Sequence, residues 1–373
     1  MQITKRQATI MFLICLIGTK FQRLPSFLAS TAGRDLWVVV FLYLLIDGLF
    51  LFFTLKIIEF SRGLTLKELL EKIFGNVFAR IVLFFAGAYF LLCSVLPYEA
   101  IQEVFTEVIF DRMPWYAFAL FMLVTMGALA CSGLKTIGRM CQVYFFIIIF
   151  GVIGLLLLGL SKTDLSAIMP IIKTDINGVF EGFYRSCVWY GDYWILLILM
   201  GHIKNQNKEK LTSFQVVFYV GMIVVAFAFV VFYGIFKYVT PQKTNLLTNI
   251  SQFSLLALDI GRLDYFLIIF AEIATILTAG IFVYASAKCF ADAFEIKKQN
   301  FVIYVLLGII YITTSFVIRS KILLINTILK IGLFVCPFVQ YILLLLIFIF
   351  TCVRLKNNKL IVKTSRRKNR EIG

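Results

Sequence analysis

The sequence predicts an all-α integral membrane protein with ten transmembrane helices, built as two five-helix halves of inverted topology in which spans 1 and 6 are discontinuous. Three observations carry that prediction. Hydrophobic residues make up 61% of the chain, charged ones 15%, and the mean hydropathy is +0.95, whereas a soluble domain is about half apolar and a quarter charged. Ten apolar segments approach the roughly 20 residues that a hydrocarbon core requires. Two of them are interrupted by glycine and polar residues. Hydrocarbon offers a freed backbone group no partner, so such an interruption is tolerated only where protein or a polar cavity receives it.

In order, the segments run over 8–31, 36–58, 78–109, 114–133, 138–160, 177–202, 213–239, 262–290, 301–318 and 324–353. The first reads as a retained span, because no small-residue cleavage site follows it. Between the second and third, 61–77 (SRGLTLKELLEKIFGNV) reads as an interfacial amphipathic helix, with Leu64, Leu66, Leu69, Leu70 and Ile73 recurring among Lys67, Glu68, Glu71 and Lys72. The semi-apolar loop 241–260 is expected to be a surface helix that lids a pocket or meets a partner. Cationic residues number 23 on the side that holds both termini and 10 on the other. By the positive-inside bias both termini are cytoplasmic, and 354–373 is a basic cytoplasmic tail. The net charge of +16 comes from short loops and this tail. It suits an anionic leaflet of the lipid bilayer, and no soluble domain is present to hold nucleic acid. The eight cysteines lie singly in apolar segments, so neither disulfides nor zinc are expected. Residues 1–353 form one transmembrane domain whose halves are roughly 1–164 and 165–353. Five spans per half bring the second half in from the opposite face, which is the inverted repeat of the LeuT-like fold.

The first interruption is Gly18-Thr19-Lys20-Phe21-Gln22-Arg23-Leu24-Pro25. Gly18 lets the backbone leave helical geometry, and Pro25 suits the first turn of the next half-helix, where its missing N–H is not needed. A half-helix N-terminus inside the membrane attracts an anion. With Lys20 and Arg23 beside it, the natural guest is a carboxylate. The structural alternative has Lys20 and Arg23 pairing with Asp47, Glu99 or Glu272 to hold helices together.

The second interruption is Ser186-Cys187-Val188-Trp189-Tyr190-Gly191-Asp192. Gly191 supplies flexibility, and Asp192 stands where the following half-helix would be N-capped. Alternatively Asp192, or the carbonyls of Ser186 and Cys187, receives a ligand ammonium. Glu181 and Arg185 are in the stabilising order for an intrahelical pair. Trp189 and Tyr190 either wall a pocket or pack as ordinary aromatics. The candidate small-molecule site is therefore Gly18, Thr19, Lys20 and Phe21 with Ser186, Cys187, Trp189, Gly191 and Asp192. Ser94 and Tyr98 on span three and Thr275 and Thr278 on span eight close it. Asp47, at the centre of span two, has to be neutral or paired, because an unpaired charge there is costly. With Glu99 and Glu272 it is a candidate for ion or proton coupling or for structural charge. Glu99, Glu103 and Glu107, four apart, line an outer vestibule or face water. No nucleophile, base and orienting group can be assembled. The one histidine, His202, ends a span beside Lys204 with no partner at metal-ligand spacing, and no P-loop, GxGxxG or HExxH occurs. No enzyme activity, cofactor or metal is expected.

The stretch IGTKFQRLPSFLASTAGRDLWV resembles the opening pattern of the GerAB-like spore germination receptor B subunits, a branch of the amino acid, polyamine and organocation transporter superfamily. The shared features are a Gly-Thr break, Leu-Pro-Ser, and then Gly33, Arg34, Asp35 and Trp37. GLKTIGRMCQ, with Gly133 and Arg139, is similar to that family's connection between spans four and five. DLSAIMP with Pro170, and the Gly-acid pair at the second break, also fit. The chain departs from the pattern with Gly191-Asp192 in place of Gly-Glu, with Tyr98 in place of an Arg before the span-three acid, and with a more cationic first break. The resemblance implies a germinant-sensing subunit in the inner membrane of a dormant spore, working with an A subunit and a lipoprotein C subunit. It also implies that a small molecule, an amino acid, is recognised between spans one and six. An amino-acid permease, proton-coupled through Asp47, Glu99 or Glu272, is the alternative, and a scaffold or channel for other subunits is a third class.

Overall fold

In hydrocarbon, a run of Leu, Ile, Val and Phe satisfies its backbone N–H and C=O groups within a helix, and helices are what this chain forms. The computed structural model describes residues 2–61, 63–105, 115–169, 176–203, 211–256, 264–317 and 321–354. Regular structure there is helical, apart from an isolated bridge between Ile3 and Ile203. The helices in order are α1 (Lys5–Gly18), α2 (Leu24–Ala32), α3 (Leu36–Ser61), α4 (Leu66–Phe74), α5 (Asn76–Val104), α6 (Trp115–Cys131) and α7 (Leu134–Leu160). They continue with α8 (Ile176–Arg185), α9 (Trp194–Leu199), α10 (Thr212–Phe236), α11 (Leu246–Leu256), α12 (Asp264–Ala293), α13 (Gln299–Ile312) and α14 (Lys321–Pro337). Glu107, Pro170, Lys204, the end of the loop 241–260 and the tail beyond residue 354 lie outside the described residues.

Among the described residues, six stretches are long and apolar enough to cross a membrane: Leu24–Ser61, Asn76–Val104, Leu134–Leu160, Thr212–Gln242, Ile268–Ala293 and Leu323–Arg354. Phe118–Cys131, Cys187–Leu199 and Gln299–Ser315 are apolar but shorter. The expected first and sixth spans are each divided by their polar interruption, between Gly18 and Leu24 and between Arg185 and Trp194. The outer surface is that of a protein bathed in lipid. On α3, Phe41, Leu45, Leu49 and Phe52 form an exposed stripe at helical spacing, while Val39, Tyr43, Leu51 and Leu55 are buried. On α7, Val143, Phe146, Phe150 and Leu157 do the same.

α12 is the hub. It packs on α1, α5, α6, α7 and α13, so the first break lies against it. A separate apolar cluster, with Ile101, Phe118, Met122, Val283, Ile303 and Leu306, ties α5, α6, α12 and α13 together. The loop 241–260, expected at the surface, instead carries α11, packed among α7, α10 and α12 with Leu246, Leu247, Ile250 and Ser251 buried. The physical reason is a hydrogen bond from the Leu246 N–H to the Phe21 carbonyl (3.0 Å), which fastens the start of α11 to the first break.

The amphipathic segment forms α4, shorter than the 61–77 stretch but with the expected face: Leu66, Leu69, Leu70 and Ile73 are buried. Thr65 and Glu68 close a capping box, the Glu68 N–H donating to Thr65 Oγ1 (3.4 Å) and the Thr65 N–H to Glu68 Oε2 (2.8 Å). The Thr65 N–H also holds the Glu68 carboxyl below its usual range. That contribution to stability is present above the usual carboxylate pKa and is lost as pH falls through the lowered one. Thr65→Ala should destabilise α4 by about 1 kcal/mol at neutral pH. Hydrogen exchange over Leu66–Phe74 should then accelerate while α5 is unaffected; unchanged protection of α4 would mean that packing alone holds it.

Candidate functional site

Each break is shaped by its own residues. At the first, Thr278 Oγ1 lies between the Ile14 carbonyl in the last turn of α1 (3.0 Å) and the Ala274 carbonyl of its own helix (2.8 Å), a contact that joins α1 to α12. Gly18 faces the same threonine. A Cβ there would stand 2.3 Å from Thr278 Oγ1 and 2.9 Å from the Ala274 carbonyl oxygen, so glycine is required for the close approach of α1 to α12. Pro25 lies in the first turn of α2, as expected. At the second break, Ser186 leads into a short turn, Cys187–Trp189, and Gly191 takes φ +81°, which favours glycine.

The two breaks meet at an ion pair. Lys20 Nζ donates to Asp192 Oδ2, and Lys20 and Asp192 are only 1% and 8% exposed. The Lys20 ammonium also lies 5.1 Å from the centroid of the Tyr190 ring, which stacks on Tyr43 with centroids 3.4 Å apart. The sequence offered Asp47, Glu99 or Glu272 as partners for Lys20 and a helix cap as the plain role for Asp192. The structure gives neither: the Asp192 carboxylate makes no capping bond to α9 and turns to Lys20. Arg23 pairs instead with Glu103, through Nε to Oε2 at 3.0 Å and a second contact from its Nη2 to Oε1. Glu103 is thereby buried against α2 rather than facing water.

Around this pair the second break is held by side chains from three other helices. Asp47 on α3 accepts from the Gly191 N–H at 3.0 Å, and Tyr341 Oη donates to its other oxygen at 3.4 Å. Tyr89 on α5 donates to the carbonyls of Tyr190 (3.1 Å) and Gly191 (3.3 Å). Gln340 lies in a π turn, Phe338–Leu343, that follows Pro337 at the end of α14. Its Nε2 donates to the Cys187 carbonyl at 3.0 Å and the Tyr190 carbonyl at 2.7 Å.

The remaining predicted residues are distributed as follows. The Ser186 and Cys187 carbonyls accept from the Trp189 and Tyr190 N–H groups at 3.0 and 3.1 Å, so both serve the protein itself. Cys187 Sγ reaches the Gly332 carbonyl at 3.5 Å. Trp189 packs on Phe27, with ring centroids 5.4 Å apart. Thr19 is buried with no partner for its Oγ1 among the described residues. Phe21, Glu272 and Thr275 gather on the α12 side of the first break, with Gln22. Ser94 Oγ donates back to Leu91 on its own helix at 2.7 Å, and Tyr98 sits in the apolar cluster shared with α6 and α13, so neither joins the breaks. Glu99 is buried on α5, one turn before Glu103. Glu181 and Arg185 form the intrahelical pair that their spacing predicts, at 2.7 Å. Sequence reasoning missed Tyr43, Tyr89, Gln340 and Tyr341. Of these only Gln340 carries a signal, as an amide within an apolar run.

Two discontinuous helices that meet charge to charge inside an apolar helical bundle define a transporter-type membrane protein. The chain belongs to the spore germination protein family: the model of that family, Spore_permease, matches residues 2–323. This is a family of permeases and receptors rather than of enzymes. No curated protein matches the chain.

Lys20→Met would leave Asp192 unpaired in the interior, and removing one partner of a buried pair costs about 3–5 kcal/mol. Membrane abundance should fall, recover when Asp192→Asn is added, and not recover with Asp47→Asn or Glu272→Gln. Recovery with Asp47→Asn instead would show that Asp47, not Asp192, balances the lysine.

Proposed function

We propose that the protein is the germinant-sensing membrane subunit of a spore germination receptor, and that it recognises a zwitterionic amino acid by exchanging the Lys20–Asp192 pair for two pairs with the ligand. The observation that carries this is the burial of that pair at the junction of the two breaks. An amino acid brings one carboxylate, for Lys20, and one ammonium, for Asp192. After exchange every buried charge is still compensated. A ligand with a single charge would strand one of them, so the same arrangement discriminates against amines and simple carboxylic acids.

The packing of the helices supports a single domain of ten spans over 1–353, with halves 1–164 and 165–353. Take the ten spans as α1 with α2, then α3, α5, α6 and α7, followed by α8 with α9, then α10, α12, α13 and α14. The first packs on the fifth and the seventh (α1 on α7 and α10). Five places on, the sixth packs on the tenth and the second (α8 on α14 and α3). Likewise α5 on α6 is matched by α12 on α13. Such equivalence is what a 5+5 inverted repeat of the LeuT type requires. In this reading both termini, with the basic tail 354–373, face the cytoplasm, the membrane is the spore inner membrane, and the protein works with A and C subunits.

The family description also favours a permease, and receptor and carrier share a site architecture. Two measurements separate them: germination of spores carrying the protein, and uptake of labelled amino acids into proteoliposomes. The sensing reading expects an amino-acid response without saturable uptake. In Lys20→Met/Asp192→Asn, present at normal abundance, the dose-response should shift by roughly ten- to a hundredfold, corresponding to about 1.5–3 kcal/mol for a hydrogen bond to a charged group. An unchanged dose-response in that double variant would remove the pair from recognition, and saturable uptake would assign the protein to the carriers.

A further inference from the structure

A second polar cluster lies on the α12 side of the first break, and the Lys20–Asp192 pair has no part in it. Gln22, in the break, reaches across to α12, where its Nε2 donates to Thr275 Oγ1 at 2.7 Å and to Glu272 Oε2 at 3.3 Å. Asn245, the residue before α11, completes the group, held in place by the hydrogen bond of its neighbour Leu246 to the Phe21 carbonyl. Gln22, Asn245, Glu272 and Thr275 line one enclosed cavity of about 10 Å³, room for a single water-sized body.

Three features of this cavity point to its occupant. Glu272 is 3% exposed, and among the described residues no lysine or arginine pairs with it. Gln22 and Asn245 are 6% and 3% exposed, and Gln22 Oε1 and Asn245 Oδ1 accept from nothing among the described residues. Buried acceptors without donors are costly. Here a carboxylate and two amide side chains whose oxygens have no partner among the described residues line a cavity of atomic size, with Thr275 beside them.

We propose that this cavity binds one monovalent alkali cation, coordinated by the Glu272 carboxylate and the side-chain oxygens of Gln22 and Asn245, with Thr275 as a further oxygen donor. An all-oxygen donor set suits a hard cation. The single carboxylate fixes the valence, since a monovalent ion leaves the site neutral while a divalent one would leave a net charge in the membrane interior. The ion satisfies both orphan oxygens and the carboxylate at once, which a water molecule, with two protons to donate and no net charge, does not. Because the site joins the first break to α11 and α12, and Gln22 is two residues from Lys20, occupancy of the cavity and the position of Lys20 are linked. The site stands whether or not the ion pair receives an amino acid.

The test uses the purified full-length protein. Thermal unfolding is followed in sodium, potassium and choline chloride at equal ionic strength, over a range of pH, beside equilibrium binding of radiolabelled sodium and rubidium. The expected result is saturable binding of an alkali ion and a rise in Tm that choline does not produce. Asn245→Ala should weaken binding roughly tenfold or more, Glu272→Gln should abolish it, and Lys20→Met/Asp192→Asn should keep it even if the amino-acid response is lost. If Glu272→Gln does not fold, Asn245→Ala decides. A Tm that follows pH but ignores the alkali cation would show that Glu272 carries a proton beside a bound water. That result, or alkali binding unchanged in Asn245→Ala, would overturn the proposal.

Discussion

Wherever a helix stops inside an apolar bundle, the peptide groups it releases have to be satisfied by protein, and most of the polar architecture of this molecule answers to that constraint. At the first break the N–H of Leu246 takes the Phe21 carbonyl, and Thr278 reaches from α12 to the last turn of α1. At the second, Gln340 and Tyr89 donate to the carbonyls between Cys187 and Gly191, and Asp47 receives the Gly191 N–H. These donors and acceptors come from α3, α5, α11, α12 and the π turn after α14, so the two breaks determine which helices have to surround them. The polar side chains gathered around the two breaks are thus a consequence of those discontinuities.

Satisfying the backbone does not by itself bring charge to the junction. A pair such as Lys20 with Asp192 is weak evidence for stability, because desolvating both groups offsets much of their attraction. Buried Leu and Phe would hold two helices together as well. What an apolar contact cannot do is exchange partners with a zwitterion at little net cost in buried charge. The separate Arg23–Glu103 pair shows the contrast: Arg23 is bidentate and its side chain is 27% exposed. It fixes α2 to α5 at a place where the guanidinium still reaches solvent.

Both interruptions, and the half-helices on either side of them, were legible in the sequence, because a glycine and several polar residues within an apolar run leave few other readings. Local features were legible for the same reason: the Glu181–Arg185 pair, Pro25 in the first turn of α2 and the buried face of α4 all depend on spacing within a single helix. The partner of Lys20 was not. Asp47, Glu99, Glu272 and Asp192 are all acids in or beside apolar segments, and which of them faces a lysine far away in sequence is decided by how the helices pack. Asp192 was also disguised, since a Gly-Asp before a helix is what an N-cap looks like. Tyr89 and Tyr43 carried no signal, because a tyrosine in a span reads as packing until its hydroxyl is seen to reach a backbone carbonyl, that of Tyr190 for Tyr89 and that of Phe183 (2.6 Å) for Tyr43.

The two breaks differ in how firmly they are held, and this bears on which of them gives way. The backbone from Cys187 to Gly191 is fixed by Gln340, Tyr89 and Asp47 together, and a Cβ at Gly191 would stand 2.6 Å from the Gln340 amide, so little can shift there without undoing several hydrogen bonds. The first break is tied chiefly at its ends, and the Thr19 Oγ1 beside Lys20 has no partner among the described residues. Its anchors, Thr278 at Ile14, Leu246 at Phe21, Gln22 on Thr275 and Arg23 on Glu103, hold the residues on either side of Thr19 and Lys20 rather than those two themselves. Exchange of the Lys20–Asp192 pair for a ligand therefore costs least if the Lys20 side of the junction moves and Asp192 stays in place. The second break is then the fixed half of the site, and the first, set against α11 and α12, is the half through which binding would reach the rest of the protein.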